Sequence, residues 1–209
     1  MINSKCKICR RQGVKLFLKG EKCFSPKCSI IKKPYAPGPK KTRRFRSLSE
    51  YGKELKEKQK LKNWYNLSEK QFVAYVAKTL AARRKVENTA DYLIKILETR
   101  LDNVVFRLGL AVSRSAARQL ISHKHFLING KPNNIPSHQV KKGDVISLKL
   151  KSLERKSFKD VQAGIKKYTP PSWLELKVDK MEGKVIGEPT LQEASPPAEI
   201  ASIFEFYSR

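Results

Sequence analysis

Acidic residues are scarce in this sequence of 209 residues. It holds 19 aspartate and glutamate residues against 45 lysine and arginine residues, giving a formal net charge of +26 at pH 7 and a pI near 10.1. Such a charge makes a free chain repel itself and attracts it to polyanions. This disfavours an isolated metabolic enzyme acting on a neutral small-molecule substrate. Nucleic acid is the first class of partner to consider, and an acidic membrane surface is the second.

Long hydrophobic runs are missing as well. The apolar clusters, such as residues 16–18 and 92–94, are a few residues long, whereas a membrane span needs about 20 apolar residues. The first residues, Met-Ile-Asn-Ser-Lys, do not resemble a secretory signal. We therefore expect no membrane association and a reducing, cytosolic compartment, in which disulfides are rare.

The positive charge is spread unevenly along the chain. Residues 1–46 carry 15 basic and one acidic side chains, net +14, and residues 99–151 carry 10 and two, net +8. Residues 47–98 are only +4, and residues 152–209 are neutral. Because a surface built for solubility alone would mix both signs throughout, the two strongly basic segments are the expected contacts with a polyanion.

All four cysteines lie in the first 28 residues. Cys6 and Cys9 form a C-x2-C pair, and after thirteen residues Cys23 and Cys28 form a C-x4-C pair. These spacings allow four thiolates to surround one ion, as in a closed structural zinc site. Metal binding could supply the folding energy that so small a segment lacks. An iron–sulfur cluster, and free thiols or disulfides, are the alternatives. Residues 14–21 between the pairs resemble a short strand that leads into a turn.

A proline-rich segment and a basic arm follow the cysteines. Residues 34–39 contain three prolines and should be extended. The arm after them lacks an apolar period, so we expect it to be unstructured until it contacts phosphates. The predicted RNA contacts of the N-terminal segment are Arg10, Arg11, Lys40, Lys41, Arg43, Arg44 and Arg46.

Two helices are predicted after the arm. Residues 47–50 and 68–71 both fit the capping box that begins many helices. The first helix should direct Lys53, Lys56 and Lys60 outward, which adds them to the candidate RNA contacts.

The segment 99–151 predicts a compact α/β unit. A third helix should run from about residue 89 to 108 and end at Gly109, and Ser113 should cap a helix over residues 114–122. Asn129-Gly130 is a hairpin signal, residues 141–144 form a turn, and residues 145–150 alternate like a strand.

Basic side chains are expected along one exposed edge of this unit, where arginine suits bidentate contact with phosphate. The candidates are Arg100, Arg107, Arg114, Arg118, His123, Lys124 and His125. We interpret the two histidines as part of this patch or as hydrogen-bonding groups rather than as metal ligands.

Five motifs in this segment resemble the RNA-binding domain named after ribosomal small-subunit protein four. They lie at residues 100–109, 113–121, 123–125, 128–130 and 135–137. Further motifs at residues 6–11, 15–20, 25–28, 48–52, 55–60, 69–72, 171–174 and 205–209 extend the resemblance to the ribosomal protein four family itself, in its four-cysteine form. The similarity covers nearly the whole chain.

The resemblance implies an α+β fold and a division into parts. Residues 1–46 would form a zinc knuckle and a basic arm, and residues 47–98 with about 190–209 an all-helical domain. Residues 99–189, with a core at 99–151, would form an inserted α/β RNA-binding domain, in which a helix-turn-helix-like pair lies on a small antiparallel sheet. The C-terminal aromatic residues would return to the helical part.

The same resemblance implies a structural constituent of the small ribosomal subunit in a bacterial cytosol or an organelle. Such proteins bind a five-way junction in the 5′ domain of small-subunit rRNA early in assembly. They affect translational accuracy through small-subunit protein five, and with proteins three and five they line the entrance for mRNA. Some repress their own translation.

Two other classes of protein share part of this pattern. An RNA-modifying enzyme could carry the same RNA-binding unit, but the sequence lacks GxSxG, P-loop and HExxH patterns and has no segment left for a catalytic domain. A basic zinc-knuckle DNA-binding regulator would share the charge but would not explain segment 99–151. We therefore predict a protein that is not an enzyme.

Overall fold

The chain folds into two units. The structure is a computed structural model that describes residues 5–38, 47–153, 158, 161, 164–165 and 168–208. One unit comprises residues 1–90 and 195–209, and the other comprises residues 91–194. Within the described residues, no helix has both the length and the apolar character that crossing a membrane requires.

The N-terminal part of the first unit is helical. It contains α1 (Lys5–Gln12), α2 (Glu21–Phe24) and α3 (Ser29–Lys32). The strand expected within residues 14–21 is wrong, since this described stretch is irregular and turns before α2. Positive φ angles at Phe17 (50°) and Gly20 (66°) explain the difference, because they interrupt an extended backbone.

Two longer helices and the C-terminus complete the first unit. They are α4 (Glu50–Trp64), α5 (Glu69–Ala81) and α11 (Ile200–Ser208), with a 3₁₀ turn at Arg83–Lys85. The helix start predicted at residues 68–71 is confirmed, because the Ser68 hydroxyl caps α5 by accepting a hydrogen bond from the Gln71 amide. The one at residues 47–50 is not, since Ser49 caps α4 through the Gly52 amide.

The C-terminal aromatic residues pack on the helices of this unit, as expected. Helix α11 lies along α4. The Phe206 ring lies 5.3 Å from that of Tyr51, and the Tyr207 ring lies 6.4 Å from that of Phe72, measured between centroids. Ile203, on the same helix, is fully buried.

The helices of the second unit differ from the predicted pattern at one point. They are α6 (Thr89–Glu98), α7 (Leu101–Arg107) and α8 (Arg114–Ser122). The prediction of one continuous helix over residues 89–108 is wrong. The backbone of Arg100 is extended (ψ 138°), and the Leu101 amide donates a hydrogen bond to the His138 carbonyl instead of to a helical carbonyl. Gly109 follows α7 with φ 75°, and the Ser113 hydroxyl caps α8, as predicted.

A five-stranded antiparallel sheet packs against α7 and α8. Its strands are β1 (Phe126–Ile128), β2 (Lys131–Pro132), β3 (Val145–Leu148), β4 (Leu174–Lys177) and β5 (Glu182–Val185), in the order β2-β1-β3-β5-β4. Along the chain, the short helix α9 (Leu150–Leu153) follows β3 and the short helix α10 (Leu191–Ala194) follows β5. The mixed fold with a small antiparallel sheet confirms the predicted class.

Local turn chemistry and burial fix the register of this sheet. Asn129 and Gly130 connect β1 to β2 with φ angles of 50° and 78°, as a two-residue hairpin requires. Ile128 pairs with Ile146. One apolar core joins this sheet to the two helices and includes Leu101, Val105, Phe126 and Ile146.

Candidate nucleic-acid interface and cysteine pocket

The four cysteines line one small pocket in the first unit. Cys6 and Cys9 lie on α1, Cys23 lies on α2, and Cys28 precedes α3. The pocket has a volume of about 20 Å³. Burial raises the pKa of the Cys9 thiol, and the three other cysteines are near enough to raise it further, against a backbone hydrogen bond that lowers it.

The four cysteines share this pocket but are not arranged as a coordination shell. All four thiols are free. In the part of the chain that the structure describes, no group of three or more Cys, His, Asp or Glu residues has the geometry to hold a metal ion. The Lys19 amide does donate to Cys23 Sγ over 3.4 Å. Four thiols are a donor set that zinc accepts, but the described residues do not present them as a metal site, so the metal centre stays a prediction from cysteine spacing.

The two arginines of α1 lie in different environments. The Nε of Arg10 donates to the carbonyls of Lys33 (3.0 Å) and Tyr35 (2.9 Å), and its guanidinium lies 5.0 Å from the Tyr35 ring centroid. Arg10 thus joins α1 to the start of the proline-rich segment. Arg11 is exposed. The predicted contacts of the arm, Lys40, Lys41, Arg43, Arg44 and Arg46, lie outside the described residues.

The predicted lysines of α4 are exposed to different degrees. Lys53 is exposed, and Lys56 is half-buried. Lys60 is half-buried and forms an ion pair with Glu57 at 2.5 Å. Of these three, Lys53 is the side chain best placed to meet a phosphate.

Arg100 is buried, so its predicted place on an exposed edge is wrong. Its side chain has 0% exposure, with Nε 3.0 Å from Asp102 Oδ1 and Nη2 2.6 Å from Oδ2. This bidentate pair neutralises a charge that burial would otherwise make costly. Arg118 approaches the same carboxylate at 3.6 Å but stays 31% exposed, so it can still reach outward.

Arg107 and Arg114 also face inward. Arg107 donates to the Glu98 carboxylate and to the Ala194 carbonyl. Arg114 is buried, with Nε 2.7 Å from Asn103 Oδ1 and its guanidinium 4.6 Å from the Phe106 ring centroid. The prediction of an exposed position is therefore wrong for Arg114. Arg107 is half-buried and has a structural role. Both side chains hold α7 in place.

The three basic residues that follow α8 differ in their exposure to solvent. His123 and Lys124 are exposed, the latter with φ 59°. His125 is buried and shares a 2.9 Å hydrogen bond between Nδ1 and Ser152 Oγ. The prediction of an exposed contact is therefore wrong for His125, and the alternative prediction of a hydrogen-bonding role is confirmed.

Sequence reasoning missed exposed lysines at the turns of the sheet. Lys131, Lys141 and Lys142 are exposed, and Lys131 and Lys141 line a groove of about 350 Å³. The Asp144 carboxylate accepts from the Lys141 amide (2.8 Å) and the Asn129 side chain (2.9 Å), which holds the two turns together. A second exposed cationic run is Arg83–Lys85. Paired lysines at a turn were the sequence feature that could have identified these exposed cations, because side chains in turns usually face solvent.

Comparison with known proteins defines the class of this basic two-unit chain. Residues 1–98 match the family described as ribosomal protein S4/S9 N-terminal domain, and residues 99–146 match the S4 domain. The chain is thus built as a ribosomal protein with an S4 RNA-binding domain. The residue range of the second match coincides with the segment from α7 to β3.

Full-length relatives define the family. The chain is 48% identical over 204 residues to small ribosomal subunit protein uS4 of Heliobacterium modesticaldum. It is 46% identical over 204 residues to that of Kosmotoga olearia and 47% identical over 204 residues to that of Halothermothrix orenii. Each match covers 98% of this chain and 96% of the relative. The chain belongs to the ribosomal protein uS4 family, a structural and non-enzymatic family, which confirms the predicted family and the absence of enzymatic function.

Proposed function

We propose that this protein is a structural constituent of the small ribosomal subunit that binds small-subunit rRNA. The observation that carries the proposal is the match of 98% of the chain to relatives named small ribosomal subunit protein uS4. The net charge of +26 provides the attraction to a polyanion. The ribosome is then its place in the cell.

The exposed cations and the buried arginines have separate tasks in this proposal. In the second unit, the exposed side chains that we assign to phosphate contact are His123, Lys124, Lys131, Lys141 and Lys142, with Arg118 partly available. In the first unit, the exposed cations include Lys53, Arg11 and the Arg83–Lys85 run. Arg100, Arg107 and Arg114 act indirectly, because they fix the helices that carry these contacts. Neutralised phosphates release counterions, so affinity should fall steeply with salt.

The finer functional assignments rest on the resemblance to the family. We propose that the protein binds the 5′ domain early in assembly and so helps to nucleate that domain. We also propose contacts with small-subunit proteins five and three near the mRNA entrance, through which it would affect translational accuracy. A-form grooves hide most base edges, so the shape of an rRNA junction would supply much of the specificity.

A structural zinc ion is part of the proposal. Cys6, Cys9, Cys23 and Cys28 would be its ligands, supported by their spacing and by the pocket that they share. Zinc would supply folding energy to three short helices that bury little surface of their own. An iron–sulfur cluster on the same thiols is the less favoured alternative.

A binding comparison tests the central proposal. The full chain is titrated onto its own small-subunit rRNA, and onto duplex DNA of similar length, by filter binding at matched salt. We expect tighter binding to the rRNA and a steep loss of affinity as salt rises. Equal affinity for both nucleic acids would contradict the proposal and favour a general polyanion-binding protein.

A further inference from the structure

Two phenylalanine rings lie in contact on the surface of the cysteine-containing part. The centroids of Phe17 and Phe24 are 4.9 Å apart, and their planes are inclined by 31°. Phe17 is 38% exposed and Phe24 is 74% exposed. The rings therefore form a small aromatic surface, in which Phe17 lies against Phe24 and Phe24 meets solvent most fully.

Core packing does not account for this exposure. Leu16, directly before Phe17, is fully buried, and Cys23, directly before Phe24, is buried in the cysteine pocket. The local backbone thus buries the neighbour and turns each ring outward. Phe17 does so with φ 50°, a conformation that is unfavourable for a bulky residue. Local strain of this kind persists only where the surrounding structure holds the residue in place.

The charges around the two rings indicate the kind of partner. Lys15 and Lys19 flank Phe17 at two residues on each side, and Lys22 and Lys27 flank Phe24. Glu21 is the one acidic residue between positions 5 and 38. Exposed aromatic rings with surrounding cations are the combination that binds unpaired nucleic acid, because bases stack on the rings while lysines meet the backbone. A protein partner would have to bring acidic groups to the same place.

We propose that Phe17 and Phe24 form a stacking platform for an unpaired base of RNA. Phe24 contacts the base with its outer face, and Phe17 supports it from behind. Lys22, next to the cysteine that precedes Phe24, neutralises a neighbouring phosphate. The inference rests on the proposed function and assigns to it a subsite that uses rings rather than charge.

Substitutions at Phe24 test the platform with full-length protein and its own small-subunit rRNA. Phe24→Leu keeps an apolar side chain but removes the ring, and we expect affinity to fall about tenfold, which corresponds to about 1.4 kcal/mol and lies within the usual range for base–aromatic stacking. Phe24→Trp should bind about as tightly as the wild type. The slope of log affinity against log salt should not change in either variant, because no phosphate contact is lost.

Lys22→Ala is the matched charge control. It should lower the magnitude of the salt slope by about 1, whereas the Phe24 variants should not. Thermal unfolding of all three variants should match the wild type, because both substituted side chains are exposed. Irradiation of the wild-type complex at 254 nm should also give a nucleotide adduct on the peptide that contains Phe24.

Several results would overturn the inference. Wild-type affinity in Phe24→Leu would do so, and so would an equal loss in Phe24→Leu and Phe24→Trp. Normal binding of Phe24→Leu to naked rRNA, combined with poor incorporation into reconstituted subunits, would assign the rings to a protein partner instead. Failure of the wild type to bind rRNA would refute the proposed function itself, which separates the two questions.

Discussion

The guanidinium of Arg107 holds the buried carboxylate of Glu98 with two hydrogen bonds, from Nε to Oε2 at 2.9 Å and from Nη2 to Oε1 at 2.8 Å. Asn103 adds a third, from Nδ2 to Glu98 Oε2 at 2.6 Å, and its own Oδ1 accepts from Arg114. The end of α6 is thereby fixed to α7 and α8. Residues that the charge pattern suggests for RNA are used to build the unit.

Loss of Arg107 should destabilise the protein. Arg107→Ala leaves Glu98 buried without the arginine of this ion pair, and breaking a buried pair of this kind typically costs about 3 kcal/mol or more. Urea unfolding monitored by circular dichroism should show the loss. Arg118→Ala is the matched control and should change stability by less than about 1 kcal/mol, since Arg118 is 31% exposed and Arg100 already pairs with Asp102. Equal stability of the two variants would contradict this interpretation.

Local chemistry made part of the fold predictable from sequence. Ser68 and Ser113 cap helices, and Asn129-Gly130 forms a two-residue hairpin, because each of these features depends on a few neighbouring residues. The break in the helix before Leu101 could not be predicted in this way. It depends on the His138 carbonyl, which lies far along the chain and takes the Leu101 amide.

Burial explains why the exposed positions predicted for Arg100 and Arg114 are wrong. Helical spacing identifies which side chains share a side of a helix, but it does not say whether that side meets solvent or another element. Arg100 and Arg114 are buried because Asp102 and Asn103 supply partners within the same unit. Scarcity of acids in segment 99–151 had suggested that its arginines were free, although Glu98 lies one residue before that segment.

The lysine pair in the turn before β3 should contribute directly to RNA binding. Lys141→Ala combined with Lys142→Ala removes two exposed charges and leaves the backbone hydrogen bond from residue 141 to Asp144 in place. Filter binding to small-subunit rRNA should weaken, and the salt slope should fall by about 2 in magnitude, or about 1 for each charge. Unfolding should not change.

A matched pair of lysines controls for net charge. Lys177→Ala combined with Lys180→Ala removes the same two charges from exposed positions in the neutral C-terminal segment. We expect a smaller change in both affinity and slope, because loss of net charge alone acts only through screened, long-range attraction. An identical effect of the two pairs would remove Lys141 and Lys142 from the proposed interface.

The cysteine pocket should yield metal on elemental analysis. Mass spectrometry of purified protein should find about one zinc per chain, as four thiolates complete a tetrahedral site. Cys23→Ser should lose the metal and melt at a lower temperature, because metal binding contributes folding energy. Lys27→Ala, an exposed change beside the pocket, should keep both. Iron in place of zinc would indicate a cluster, and absence of both metals would contradict the proposal.

Gly109 should resist substitution more than a glycine in an open turn. It has φ 75°, and a Cβ atom there would lie 2.8 Å from Cδ1 of Tyr168. Gly130 has φ 78° with open space around it. Both alanine variants should lose about 1–2 kcal/mol to the left-handed backbone, and Gly109→Ala should lose about 1 kcal/mol more to the clash. Equal urea midpoints would show that Tyr168 moves aside without cost.

Stability of the first unit should depend on pH through Glu69. Its carboxylate accepts hydrogen bonds from Lys58 Nζ (2.7 Å), Lys62 Nζ (2.8 Å) and the Tyr207 hydroxyl (3.4 Å). Burial alone would raise the pKa of Glu69, but the two lysines outweigh it and hold that pKa below its ordinary value. A carboxyl with a lowered pKa in the folded state stabilises the fold above the unfolded pKa of about 4.3, and this contribution is lost as pH falls through the lowered value.

Glu69→Gln should therefore be less stable than the wild type at pH 7, and the difference should shrink as pH falls from about 5 to 3, where the wild-type carboxyl takes up its proton. Urea midpoints measured across this range give the comparison. Glu87→Gln, an exposed change in the same unit, should follow the wild type at every pH. A constant difference between Glu69→Gln and the wild type would mean that Glu69 acts through shape or neutral hydrogen bonds, since an effect of its charge must disappear once both proteins are neutral at this position.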